Sequence, residues 1–228
     1  MFFKRCRSRI NGARLLIVIT RDSKNTKTGP MLQVWILARD GEAKPQIANC
    51  GTCPRGLRFR RGRLIKRCYV RWHRAPLAIL RAYRRGSYEG WLGTPDQLRR
   101  LGGPGQAVRL GAAGDPGAIP SRLLRRLVAD LEASCVTSYT RRWRDRNTKT
   151  LQNHCMASCD SSEEAREAQD LGWRTFRARR PSELVLATEA VCPASKEGGE
   201  RTTCERCRAC TGGDRTTLYL PDRTIVEH

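Results

Sequence analysis

The chain has 228 residues, enough for one sizeable domain or a domain with a small appendage, and it can bury an ordinary hydrophobic core without disulfides. Its formal charge is +22, from 44 Lys and Arg against 22 Asp and Glu, with the excess mainly in the first two thirds, and such a field attracts polyanions. The 11 cysteines are odd in number and cluster at Cys-x-x-Cys spacing, which argues against a disulfide framework and for metal ligation.

The opening MFFKRCRSRI has no apolar core of signal-peptide length. The longest apolar run, residues 15–19, falls far short of the roughly 20 residues that cross a bilayer. Cytoplasm is the expected compartment, and its reducing poise keeps thiols available as ligands.

Residues 13–19 (ARLLIVI) and 31–38 (MLQVWILA) are rich in branched apolar side chains and predict two strands joined by a polar turn ending in Gly29-Pro30. Residues 49–69 are Gly- and Arg-rich, show little periodicity and carry Cys50, Cys53 and Cys68, so they predict a loop ordered by something other than a core. Pro76 and Gly86 bracket a short helix containing Leu77, Ile79, Leu80 and Tyr83. The capping box Thr94-Pro95-Asp96-Gln97 starts a second helix, which Gly102-Gly103 stops.

Val108-Arg109-Leu110 then predicts a strand running into Gly111-Ala112-Ala113-Gly114-Asp115-Pro116. Leu123, Leu124, Leu127, Val128 and Leu131 recur at helical spacing and predict an amphipathic helix over 120–133. Strands are expected at 135–139, 154–158, 173–178 and 184–188, with a helix capped by 160–164 and ended by Leu171-Gly172. Alternating strands and helices imply an α/β fold, either a partial (β/α) barrel or an open, mostly parallel sheet. The expected division is an α/β domain over 1–189 and a small cysteine-rich, metal-binding appendage over 190–228.

The strongest chemical pattern is Cys192-x11-Cys204-x2-Cys207-x2-Cys210. Two residues between cysteines let both sulfurs turn toward one centre, which suits tetrahedral zinc and iron–sulfur cubanes alike. Three cysteines at this spacing, with a distant fourth followed by proline (Cys192-Pro193), lie closer to a ferredoxin pattern than to a zinc ribbon. The expected cofactor is an iron–sulfur cluster, with structural zinc as the alternative.

Cys50-x2-Cys53-x14-Cys68 is a looser constellation with three evident ligands. A three-cysteine cluster leaves one iron open to a small ligand, whereas zinc here needs a fourth ligand such as Cys6, His73 or Cys135. Cys155 and Cys159 read as core thiols, and neither His73 nor His154 reads as catalytic. No Ser-His-Asp order, paired-carboxylate site or Gly-x4-Gly-Lys loop occurs, which argues against hydrolytic chemistry of those kinds.

Two basic runs interleave an aromatic with arginines: Arg58-Phe59-Arg60-Arg61-Gly62-Arg63 and Arg141-Arg142-Trp143-Arg144. Their composition suits phosphate contact and base stacking, so nucleic acid is the expected partner. The competing reading of either run is a solvated basic face.

Three features in order, Cys50 and Cys53-Pro54 with Cys68-Tyr69, then Gly111 to Pro116 with its helix, then Val191-Cys192-Pro193 with Cys204, Cys207 and Cys210, resemble a phage family known as "gene product eighty-eight". That resemblance covers residues 25–210 and implies an architecture rather than an activity. A looser likeness is to the radical S-adenosylmethionine superfamily, whose partial barrels bind a cubane through three cysteines after the first strand. Cys50, Cys53 and Cys68 resemble that loop without its Cys-x3-Cys-x2-Cys compactness, and Gly114, Asp115 and Pro116 resemble the turn that places the cofactor. The likeness implies S-adenosylmethionine as a cofactor and the C-terminal cysteines as an auxiliary site. Two expectations follow: an iron–sulfur protein acting on or bound to nucleic acid, or a non-enzymatic nucleic-acid-binding protein with structural zinc.

Overall fold

The computed structural model describes residues 2–21, 24–41, 46–56, 58–60, 63–65, 68–90, 93–213 and 221–226; for 2–3, 58–60 and 63–65 it describes the backbone alone. The protein is α/β, built on a nine-stranded, mostly parallel sheet in the order β1-β2-β3-β6-β7-β8-β9-β11-β10. Strands β1 (Phe2–Arg7), β2 (Arg14–Thr20) and β3 (Leu32–Ala38) pair antiparallel. From β3 onward every neighbour is parallel: β6 (Ala107–Ala113), β7 (Cys135–Thr140), β8 (Met156–Cys159), β9 (Thr175–Arg179), β11 (Asp222–Val226) and β10 (Glu189–Val191). A separate two-stranded hairpin, β4 (Arg58–Arg60) with β5 (Arg63–Ile65), lies inside the segment expected to be a loop.

Both faces of the central strands are buried, as parallel sheets require. Along β2 the alternation sends Leu15, Ile17 and Ile19 into the larger core and Leu16 and Val18 into the smaller one. The larger core is closed by α3 (Pro95–Leu101), α4 (Ser121–Leu131) and α5 (Ser162–Asp170), which supply Leu98, Leu101, Leu124, Leu127, Leu131, Ala165 and Ala168. The smaller core packs α2 (Ala75–Arg84) through Ile79 and Leu80, with Trp72 and Tyr88, against Leu37 and Ala113. Among the described residues no helix is long and apolar enough to cross a membrane.

Three features of the layout differ from or add to the expected one. Residues 184–188 form no strand; Leu184 is 86% exposed, and the pairing begins instead at Glu189, whose buried carboxylate takes both Nε and Nη2 of Arg177 at 2.7 Å. The segment expected as an appendage contributes strands to the sheet. Strands β10 and β11 belong to the main sheet, with β11 inserted between β9 and β10. Strand β1 was not foreseen, because its cation-rich sequence hides the edge of an otherwise apolar antiparallel unit.

One irregularity positions the site described below. The register between β3 and β6 slips after Val34, which faces Leu110, so that Trp35 faces Ala113. Gly111 takes φ +78° in this bulge, and a Cβ there would meet the Gly114 carbonyl oxygen at 2.9 Å. The slip turns Ala113 to the smaller core and delivers Gly114, Asp115 and Pro116 at the carboxyl end of the sheet.

Candidate metal and anion sites

The C-terminal cysteines are assembled from two places in the chain. Cys192 follows β10, its amide donating to the Thr224 carbonyl of β11 at 2.9 Å. Cys204 and Cys207 lie on one turn of helix, α6 (Cys204–Cys207), capped by the Thr203 side chain. Arg208 takes the left-handed conformation, φ 53°, which ends that turn and brings Cys210 back.

The loop crosses the sheet face on the side of Cys135, Thr137 and Tyr139 of β7. An antiparallel bridge joins Thr137 to Thr211, and the Ser138 amide donates to the Cys210 carbonyl at 3.3 Å. At the other end, the Cys204 amide donates to Lys27 and the Glu205 amide to Thr28. Arg174, 1% exposed, donates from Nη1 to the Thr211 carbonyl at 2.6 Å and from Nη2 to the Ala209 carbonyl at 3.0 Å.

All four sulfur-bearing residues, Cys192, Cys204, Cys207 and Cys210, line one pocket, together with Thr137, Pro193 and Arg223. None is in a disulfide. The Cys210 thiol is pushed up to about 12, first by burial and then by Cys192, Cys204 and Cys207 around it. Burial likewise raises Cys204, with Cys192 adding to it while Arg109 and Lys27 pull the other way. Tyr139 stands against the same thiols, its phenol raised well above the ordinary value by burial and then by Cys210 and Cys204.

The sulfurs share this pocket without closing on a point: among the described residues no three Cys, His, Asp or Glu side chains form a group that could hold an ion as they stand. The expected convergence is therefore only partly realised. The physical reason is that neutral thiols do not attract one another, and the free energy that draws four sulfurs together comes from the bound cation. The donor set fits a soft cation or an iron–sulfur cluster, since all four ligands are thiols and the pocket wall supplies cations against the negative charge that four thiolates would carry.

The first constellation is also brought together. Cys50 ends α1 (Ile47–Cys50), Cys53 follows within the next turn, and Cys68 accepts a hydrogen bond from Trp72 Nε1 at 3.4 Å. Burial raises the Cys50 thiol, and Asp115, Cys53 and Cys68 raise it further. Cys53 is raised by burial too, while Arg141 beside it acts in the opposite sense. Among the alternatives for a fourth ligand, Cys135 belongs elsewhere: its sulfur lies 3.7 Å from the Arg208 carbonyl and it is influenced by Cys207. Cys6 is packed against the larger core and His73 is exposed.

Gly114, Asp115 and Pro116 do meet the cysteine loop, because the Asp115 amide donates to the Asn49 carbonyl at 2.6 Å. Yet the Asp115 carboxylate is already engaged by Thr140 Oγ1 at 2.7 Å, the Arg141 amide at 2.8 Å and the Gly117 amide at 2.7 Å. A Cβ on Gly114 would lie 2.2 Å from the Ile36 carbonyl oxygen, so close packing against β3 accounts for glycine there. The turn's geometry is explained by tying β6 to β7, and its carboxylate is not presented to a ligand.

In the run Arg141-Arg142-Trp143-Arg144 the indole is buried, Arg141 and Arg142 are half-buried and Arg144 is exposed. Trp143 is 3% exposed and donates to the Ser158 carbonyl, so its ring cannot stack on bases. Arg141 pairs with Asp160 at 2.6 Å, Arg142 pairs with Asp145, and Arg144 pairs with Glu167 and Glu164 while covering the Trp143 ring at 3.9 Å. These arginines neutralise acids of the chain itself. The side chains of Arg58, Arg60 and Arg63, and Arg61 as a whole, lie outside the described residues.

Several contributors were not foreseen: Tyr139, Thr137, Arg109 and Arg174. The only signal was the period of two along 135–139, which places Cys135, Thr137 and Tyr139 on one face but does not say what covers it. No family model, curated protein or solved structure matches the chain.

Proposed function

We propose that this is a thiolate-ligated metalloprotein, with an iron–sulfur centre at Cys192, Cys204, Cys207 and Cys210, that works on or against nucleic acid. The observation that carries the metal half is the single pocket shared by four free thiols from either side of a loop that is hydrogen-bonded to the sheet along its length. A zinc ion would draw its ligands within about 4 Å of one another, given Zn–S bonds of about 2.3 Å. The run Cys204-x2-Cys207-x2-Cys210 with a distant Cys192-Pro193 favours the cluster over a zinc ribbon. When bound, such a cluster would supply one-electron chemistry or rigidity; this chain's residues hold the loop, exclude water with Tyr139 and offset charge with Arg109 and Lys27.

The deciding experiment is elemental analysis and absorption of anaerobically purified protein, with Cys204→Ala/Cys207→Ala alongside. Iron and acid-labile sulfide, lost in the double variant, are expected. Stoichiometric zinc in colourless protein would replace the cluster with a structural ion, and metal-free protein would end the reading.

A second reading is favoured by one observation: Cys50, Cys53 and Cys68 gather at the carboxyl end of β3 and β6, beside Asp115 and Arg141. Three thiols there suit a cluster with one open iron, and hence radical S-adenosylmethionine-like chemistry of the kind found in partial barrels. Iron content in Cys50→Ala/Cys53→Ala/Cys68→Ala tests it: a drop relative to the wild type supports a second cluster, and no change removes it. The nucleic-acid half rests on the +22 charge.

A further inference from the structure

We infer that duplex nucleic acid is bound, through its phosphates and without regard to sequence, on the surface formed by Arg9, Arg122, Arg125, Arg146 and Lys149; the inference rests on the nucleic-acid half of the reading above. These five exposed cations come from three distant segments. Arg9 holds them in one place: its Nη1 donates to Ser121 Oγ at 2.6 Å, at the start of α4, and its Nη2 donates to the Asn147 carbonyl at 2.9 Å, in the 3₁₀ helix Arg146–Asn153. At the far end Arg125 depresses the His154 imidazole, after burial of that ring, which puts α4 beside the end of the same 3₁₀ helix.

The spacing doubles the charge on each element. Arg122 and Arg125 are three apart on an α-helix and Arg146 and Lys149 are three apart on a 3₁₀ helix, where such residues stand side by side. Like charges so placed oppose the fold, and among the described residues none of the five has a salt-bridge partner. The nearby acids are paired with other cations, Asp130 with Arg126 and Asp145 with Arg142, and of the five Arg9 also acts on Asp145. Some arginines elsewhere are matched, as Arg14 is with Asp40 and Arg144 with Glu167, whereas among the described residues Arg81 and Arg85, at the end of α2, are exposed cations without the bridging bonds that Arg9 supplies here. A cluster with more cations than acids, its elements joined through Arg9, is suited to an external polyanion.

The kind of polyanion follows from what the surface lacks. Proteins that grip single strands stack bases on aromatic rings. Among the described residues Tyr69, in the Cys68 loop, is the one large aromatic with high exposure, and it is not part of this surface. Phosphates on a regular double helix ask only for cations at fixed spacing.

The test uses the full, anaerobically purified chain and a fluorescent 20-base-pair duplex, with affinity followed against salt. Arg122→Glu/Arg125→Glu/Lys149→Glu, and its alanine counterpart in case the reversed charges impair folding, are compared with Arg81→Glu/Arg85→Glu on α2. Removing three phosphate contacts should flatten the log–log salt slope by about 2.7, at about 0.9 per contact, while the α2 variant keeps the wild-type slope. An unchanged slope in both variants of this surface, or an equal loss in the α2 variant, overturns the assignment while leaving nucleic-acid binding itself standing. Tighter binding to a single strand, or equal binding to polyglutamate, overturns the choice of duplex. Wild-type protein that binds no duplex at low salt removes the nucleic-acid half of the proposed function altogether.

Discussion

The buried guanidinium of Arg174 donates to the Thr211 carbonyl at 2.6 Å, and through it the cysteine loop is fastened to the sheet next to β9. The same side chain also bonds the Ala209 and Pro221 carbonyls. Arg174→Met keeps the apolar stem and strands these carbonyls in a buried setting. It is expected to cost about 3 kcal/mol, as for loss of a buried charged donor, and to lower metal content at Cys210 and its partners. Chemical denaturation with parallel metal analysis checks this; a variant with wild-type stability and loading would show that the loop holds itself.

Metal loading at the C-terminal site is expected to strengthen as pH rises. Thiols bind metals as thiolates, and burial with neighbouring thiols pushes Cys210 up to about 12, so the empty site is protonated at neutral pH. Each proton released on binding makes the apparent affinity rise about tenfold per pH unit. Competition for zinc, used as a probe ion on the metal-free protein, with a chromophoric chelator between pH 6 and 8 reads this directly, and a flat profile would contradict thiolate ligation there.

Asp160 Oδ1 receives Arg55 and Arg141, each at 2.6 Å, and so joins the first cysteine loop to the end of β7. Burial pushes this carboxyl up, but the hydrogen bonds and charges of Arg141 and Arg55 outweigh it and hold it below the ordinary value. Its stabilisation is therefore present above the usual carboxylate range and is lost as pH falls through the lowered folded value. Asp160→Asn is expected to cost about 1–2 kcal/mol at pH 7, discounted for partial exposure, and the gap from wild type should narrow as pH is lowered through the carboxylate range. Urea titrations of both proteins in a descending pH series test the sign, and a gap that widens with acid would contradict it.

Trp143→Phe separates the two roles open to the basic aromatic run. Losing the hydrogen bond to Ser158 should destabilise the fold by about 1 kcal/mol, while duplex affinity at 25 °C stays within about twofold of wild type because the ring faces the core. A tenfold loss of affinity in the folded variant, measured by anisotropy, would mean that the indole is reachable after all.

The fold was legible wherever periodicity and punctuation agreed. Leu124, Leu127 and Leu131 are buried at the spacing that predicted α4, and Thr94 and Gln97 form the capping box that opens α3. Segments failed where burial depends on a distant partner. Leu184 and Val185 look like strand residues yet are exposed, because Arg177 fixes the following segment through Glu189. Asp222 to Val226 reads as polar, but it pairs on both sides within the sheet. The cysteine groupings were legible from spacing, whereas Tyr139 and Arg174 were not: their relation to Cys210 and Thr211 arises only when the chain crosses the sheet.

The placement of β11 between β9 and β10 carries a consequence for biogenesis. Strand β10 finds no neighbour until residues 222–226 have left the ribosome, so Cys192, anchored through Thr224, waits for a later-synthesised segment before it can meet Cys204, Cys207 and Cys210. Assembly of the four-thiol pocket is thereby deferred until translation has passed the whole loop, and a nascent chain stalled short of Asp222 would carry its thiols unassembled.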